Sequence, residues 1–153
     1  MKKYYLLLII VFTIFLTGCG SSSKVITCNS KSETSDYTYT STYKITTKND
    51  KYVKSVTTKE VVTSDNEETL QEIYNTSMEY ADNMDKLYGG YSCTGKIDGN
   101  KLTVTTTIDY DKMNTKAFRS AVNGASAYVD ENGNILLDGV KAVYALLGAK
   151  CDE

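Results

Sequence analysis

The 153-residue chain contains no histidine, no proline and no tryptophan. The missing histidine excludes the most. Without an imidazole there is no Ser-His-Asp or Cys-His nucleophile arrangement and no histidine-bearing zinc site. An enzyme built on this chain would have to work with carboxylates, tyrosine or lysine. Cysteine is scarce as well, at Cys19, Cys28, Cys93 and Cys151 only. These positions are too far apart for a CxxC redox pair, and the last three are too few for an all-cysteine zinc site. Positive charge is not in excess: 17 basic residues stand against 19 acidic ones. That balance argues against nucleic acid as a partner and against a polybasic grip on anionic lipid. The one long apolar run, residues 6–16, is shorter than the roughly 20 residues a spanning helix needs. No cofactor motif and no metal-ligand spacing is present.

What is present begins at the N-terminus. Lys2 and Lys3 precede the apolar run, and Thr17-Gly18-Cys19 follows it with short side chains. A charged start, an apolar segment of this length and a small-residue junction make a secretory signal. Leu16-Thr17-Gly18-Cys19 resembles the lipobox of bacterial lipoproteins, whose cysteine thiol receives a diacylglyceryl group before cleavage. The resemblance implies residues 1–18 as signal peptide, residues 19–24 as lipidated cysteine and flexible tether, and residues 25–153 as one domain. One acyl chain binds a bilayer only marginally, so two chains on Cys19 make the anchoring stable. Loss of Lys2 and Lys3, with no acid lost beside them, takes the net charge from −2 to −4. The expected place is therefore the extracytoplasmic face of a cell membrane, or an outer membrane if the envelope has two. The bilayer is the partner through acylated Cys19, and a cell-wall or envelope protein is a further candidate partner.

In an exported domain a disulfide is reasonable. A bridge between Cys28 and Cys151 would staple the two ends of the folded part. Cys93 is the alternative partner for either, and three reduced thiols is the remaining option.

Along the mature chain, residues 25–28 suggest a short strand and residues 29–35 a polar turn. Tyr37, Tyr39, Tyr43 and Ile45 then alternate with threonines and Lys44, the period of a half-buried strand. A turn at Asn49-Asp50 would set Tyr43 opposite Val56 and Tyr37 opposite Val62, with a longer loop as the alternative. It would also turn Lys54 and Glu60 toward the apolar face, where each would need an edge. The tyrosine row suits either a packed sheet or a surface for stacking sugar rings. In residues 64–90, Leu70, Ile73, Tyr74, Ser77, Ala81, Met84 and Tyr88 recur at helical spacing, with Ser64/Glu67 or Asp65/Glu68 as a capping box. Glu68, Glu72, Glu79 and Asp82 line the opposite, solvated face. In residues 91–111 a turn at Gly99-Asn100 pairs Ile97 with Leu102 and Tyr91 with Ile108, and points Cys93 inward. Asp109 and Asp111 form an acid pair at the strand's exit, a position that more often caps a following helix. Met113, Ala117, Phe118, Ala121 and Val122 suggest a short helix. Asp130, Asn132 and Asn134 resemble a calcium loop, but the glycine is misplaced at Gly133 and Lys141 stands where the acid belongs. A last helix, capped by Asp138, would pack Ala142, Val143, Leu146 and Leu147.

The order strand, hairpin, long helix, hairpin, short helices, with the lipobox and the segment GNKLTVTTTIDYDKM, is similar to the YehR-like family of small bacterial lipoproteins. The resemblance runs from Val25 to Met113 and thins after Asn114. It implies an antiparallel sheet with a helix packed across it and carries no assigned activity. The residues lead to the same class: α+β, an antiparallel sheet of about four to five strands, one long helix across it and a short C-terminal helix. Two functions fit. One is a non-catalytic, membrane-tethered binding or interaction module. The other is an enzyme or accessory factor acting on envelope glycans through Asp109, Asp111, Glu72 or Glu79, which would need two carboxylates flanking a cleft.

Overall fold

The computed structural model describes residues 23–152. Residues 1–22, and with them Cys19, the lipobox and most of the tether, lie outside the described residues. The elements are β1 (Val25–Glu33), β2 (Thr38–Thr47), β3 (Val53–Thr63), α1 (Glu67–Tyr88), β4 (Tyr91–Asp98), β5 (Lys101–Asp109), α2 (Thr115–Ala121), a single 3-10 turn (Ala125–Ala127), α3 (Leu137–Leu146) and β6 (Lys150–Cys151). The strands form one antiparallel sheet in the order β4-β5-β3-β2-β1-β6.

About four to five strands, one long helix and a short C-terminal helix were the expected architecture; the sheet has six strands, and the described residues form three α-helices. The missed strand, β6, is 2 residues long and has no alternation to read. It exists because Cys151 pairs with Cys28 and Lys150 with Asn29 at the edge of β1. The third helix is α2, which lies where Met113, Ala117, Phe118, Ala121 and Val122 suggested a short one. β1 also runs through Glu33 instead of stopping at Cys28, because β2 pairs with it along its whole length, from Val25↔Thr46 to Glu33↔Thr38.

The second hairpin has the expected register, Tyr91↔Ile108 and Ile97↔Leu102, with Gly99 at φ 58 in the turn. The first hairpin is shifted by two residues: Ile45 faces Val56, Tyr43 faces Thr58 and Tyr39 faces Val62. Its loop covers residues 48–52, and Asn49 acts through its side chain, whose Oδ1 accepts from the Lys51 and Tyr52 amides at 2.9 Å. A shift of two preserves which side chains share a face. The bulge opposite Thr46 and Thr47 takes Lys54 out of the ladder, so this lysine reaches solvent from a central strand.

α1 is capped by Asn66, whose side chain accepts from the Thr69 amide at 3.2 Å, in place of Ser64 or Asp65. Ser64 is buried and serves the preceding turn: its hydroxyl donates to the Asp36 carbonyl and accepts from the Asn66 amide. The helix lies across β4 and β5. It comes close because β4 carries Gly95 beneath Tyr74, where a Cβ would sit 2.8 Å from the ring.

Two apolar clusters cover most of the inner face of the sheet. Under the first half of α1, Leu70 packs on Val62, Leu102 and Val104. At the opposite end, the chain after β5 folds over β1–β3 and buries Ile45, Val53 and Val56 with Met113, Phe118, Val129, Ile135 and Val140. α3 is rotated from the expected orientation: it buries Leu137 and Val140, half-buries Tyr144, and leaves Leu146 88% exposed. Its N-cap is Leu136, with no side-chain cap from Asp138.

Candidate functional site

One quadrant of the inner face is covered by neither cluster. Alternation along the strands places Ser30 and Ser32 of β1, Tyr39, Ser41 and Tyr43 of β2, and Thr58 and Glu60 of β3 side by side there. α1 passes above with Glu72, Ile73 and Tyr80, and the end of α3 closes one side with Leu147 and Gly148. The result is an open cleft of about 730 Å³ floored by the sheet, within the size range of small-molecule sites.

The floor is polar where a packed sheet would be apolar. Glu60, expected to need an edge, belongs to a central strand between β2 and β5. It is tolerated because the face above it is open, and its Oε1 accepts a hydrogen bond from the Tyr39 hydroxyl. Burial, with the Glu60 carboxylate second, holds the Tyr39 phenol well above the usual tyrosine range. Among the described residues Glu60 makes no ion pair, and Lys31 at the rim is turned to Glu33 at 3.3 Å. Ser41, 1% exposed, lies between Ser30 and Glu60, and its hydroxyl faces the Tyr39 phenol without completing a well-formed hydrogen bond. An unsatisfied buried hydroxyl costs on the order of 1 kcal/mol or more. Ser41→Ala is therefore expected to raise stability by about 1 kcal/mol; a fall in melting temperature would contradict that reading of the floor.

The wall toward the main cluster is aromatic. Tyr43 stacks on Tyr144 of α3 with ring centroids 4.2 Å apart and planes inclined by 26°. Burial pushes the Tyr144 phenol up to about 12, opposed by a hydrogen bond to Thr58. Behind this pair lies a smaller hollow of about 310 Å³ lined by Tyr91, Tyr110, Phe118 and Tyr128, and Tyr80 borders both spaces.

Of the tyrosine row and the acids singled out from the sequence, the cleft brings together Tyr39, Tyr43 and Glu72. Tyr37 packs against the smaller apolar cluster instead. Glu79 is exposed and is not part of the cleft lining. Asp109 and Asp111 are taken up by the turn after β5: Asp109 accepts from the Asp111 amide and pairs with Lys112 at 3.1 Å, while Asp111 pairs with Lys48 at 3.4 Å. Cys28 and Cys151 form a disulfide in this structure, and Cys93 is a free, half-buried thiol that accepts from Thr106 Oγ1 at 3.4 Å. Glu60 and Ser41 are the site residues that the sequence did not reveal as such. Their signal was present as polar residues, with Thr58 among them, interrupting the face that Val56, Val62, Tyr43 and Ile45 share.

No protein-family model matches this chain, and no curated protein matches it. Two solved structures are similar in fold. The NMR structure of the E. coli YehR protein superposes with a TM-score of 0.54 at 14% identity, over 86% of this chain and 92% of that one. The NMR structure of a protein from Streptococcus pneumoniae TIGR4 gives 0.51 at 13% identity, over 89% and 88% respectively. The chain thus has a YehR-like fold.

Proposed function

We propose that this protein is a lipoprotein of the cell envelope, held at the extracytoplasmic face of a membrane by acylated Cys19, and that it works as a non-catalytic binding module. The observation that carries the binding role is the cleft: it is floored by Ser30, Thr58 and Glu60 on the core-facing side of the sheet, where apolar residues would stabilise the fold more. Polar groups kept at such a place, at a cost in stability, fit selection for a ligand.

The anchor and the cleft suit one another. The Ser23 hydroxyl donates to the Thr47 carbonyl at 2.8 Å, so the chain is already tied to the sheet four residues beyond Cys19. Those residues reach at most about 14 Å. Ser30 and Ser32 lie roughly 25 Å further along β1, at about 3.3 Å per residue. The cleft is thus far along the domain from its attachment point.

Cys19→Ser is expected to move the protein from the membrane fraction into the medium or periplasm and to abolish its labelling by radioactive palmitate. Full retention of the serine variant in washed membranes would refute the anchor. A second reading, hydrolysis of an envelope glycan, has one observation in its favour: Glu60 and Glu72 enter the same cleft from the sheet and the helix. Release of reducing ends from purified wall glycan, lost in Glu72→Gln, would replace the binding role with that one.

A further inference from the structure

We infer that the cleft takes a protonated amine carried on a short apolar arm, an inference that rests on the cleft being a binding site. Three features lead there. The first is an uncompensated charge. Glu60 is half-buried in the middle of the sheet, its contact is the neutral Tyr39 hydroxyl, and none of the ion pairs among the described residues includes it. A carboxylate withdrawn from water gains from a cation beside it far more than an exposed one does.

The second feature is the sign of the surroundings. Glu72 adds another carboxylate from α1, and the lysine at the rim, Lys31, is exposed and paired with Glu33. Among the described residues, the cleft offers an anionic ligand no free positive group to meet. A neutral ligand would leave Glu60 as unpaired as it is now. A primary ammonium brings three N–H donors. Its acceptors are at hand in Glu60 and Glu72, with the Ser30 and Thr58 hydroxyls on the same floor.

The third feature is aromatic. Tyr43, braced from behind by Tyr144, and Tyr80 on α1 border the space next to the carboxylates. Tyrosine faces attract cations and bury methylene groups. The adjoining hollow behind Tyr80 is lined by apolar and aromatic side chains and extends this surface for the methylenes of such an arm. The ligand chemistry is therefore an ammonium head with a methylene arm, as found in a free diamine or in a lysine side chain of a peptide.

The test is calorimetric titration of the full-length lipidated protein in detergent. The probes are 1,5-diaminopentane, its N,N′-diacetyl derivative, 1,5-pentanediol and an end-blocked Gly-Lys-Gly peptide. Saturable binding of the diamine or the peptide is expected, with the two acetylated or hydroxyl controls at least about tenfold weaker, as for loss of a hydrogen bond to a charged group. Glu60→Gln keeps an acceptor for Tyr39 and removes the charge, so it should weaken amine binding by about tenfold or more; Glu72→Gln should do so independently if the first variant folds poorly. Tighter binding of the peptide would assign the amine to a protein partner, tighter binding of the diamine to a free metabolite. Binding of the diol or the diacetyl compound as well as the diamine would overturn the amine inference while leaving the binding module intact. Absence of saturable binding by every probe would remove both.

Discussion

Replacing Cys151 with alanine is expected to lower the melting temperature by roughly 15 °C, corresponding to about 4–5 kcal/mol of stability. The bond joins positions 123 residues apart, so it restrains nearly the whole unfolded domain; closing a loop of that length is the main source of a disulfide's effect. There is a native-state component as well. Cys28 is fully buried in the main cluster, stacked in register between Tyr43 and Cys151. Without the bond, β6 has only its two ladder positions to hold it, and Leu147 and Gly148, which close one side of the cleft, lose their tether. Weakened amine binding should accompany the fall in stability. Thermal melts with and without reductant provide the check. Reductant should bring the natural protein close to the variant and leave the variant unchanged. Cys93→Ser, at a half-buried thiol outside the bond, should cost less than about 1 kcal/mol. A reductant-insensitive melt would show that the two sulfurs do not pair.

Phe118→Ala should cost about 3–5 kcal/mol, the usual range for removing a buried aromatic ring from a core. Phe118 is the buried residue of α2, and its ring meets Tyr88 of α1 edge-on at 5.3 Å and Tyr128 at 6.2 Å. It therefore ties α2 to the long helix and to the segment after the 3-10 turn, within the cluster that covers β2 and β3. Truncation leaves a cavity where three segments meet, and each is held there by side chains from the other two. Urea unfolding should show a lower midpoint with an unchanged slope if the domain still unfolds as one unit. A loss below about 1 kcal/mol would mean that this segment is not part of the same core. For comparison, truncating the 88% exposed Leu146 should change stability by no more than about 0.5 kcal/mol.

The second hairpin and the long helix are legible in the sequence because each carries its own punctuation. Gly99 supplies a turn between two alternating runs, and Gly89-Gly90 ends a helix whose apolar face repeats without a break. The first hairpin was half legible. Alternation told which side chains share a face, yet the loop length and the bulge at Lys54 set the register, and neither leaves a mark in the apolar pattern. β6 could not be read at all, since two residues have no period. α3 was read with the wrong face inward. Its leucines are strongly apolar, but the geometry of its approach, with Tyr144 stacked on Tyr43, turned Leu146 and Leu147 to solvent.

The amino-acid order by itself determined the α+β class, the faces of the strands, the span of the long helix and the closure of histidine-based chemistry. Those properties follow from local periodicity and composition, which neighbouring residues settle among themselves. Only the tertiary structure decided that α1 and the C-terminal layer leave one quadrant of the sheet open as a cleft, and that Glu60, Thr58 and Tyr39 line it. Whether a polar residue on an inner face is a packing fault or the floor of a site depends on what lies above it, and that is set by segments distant in the chain.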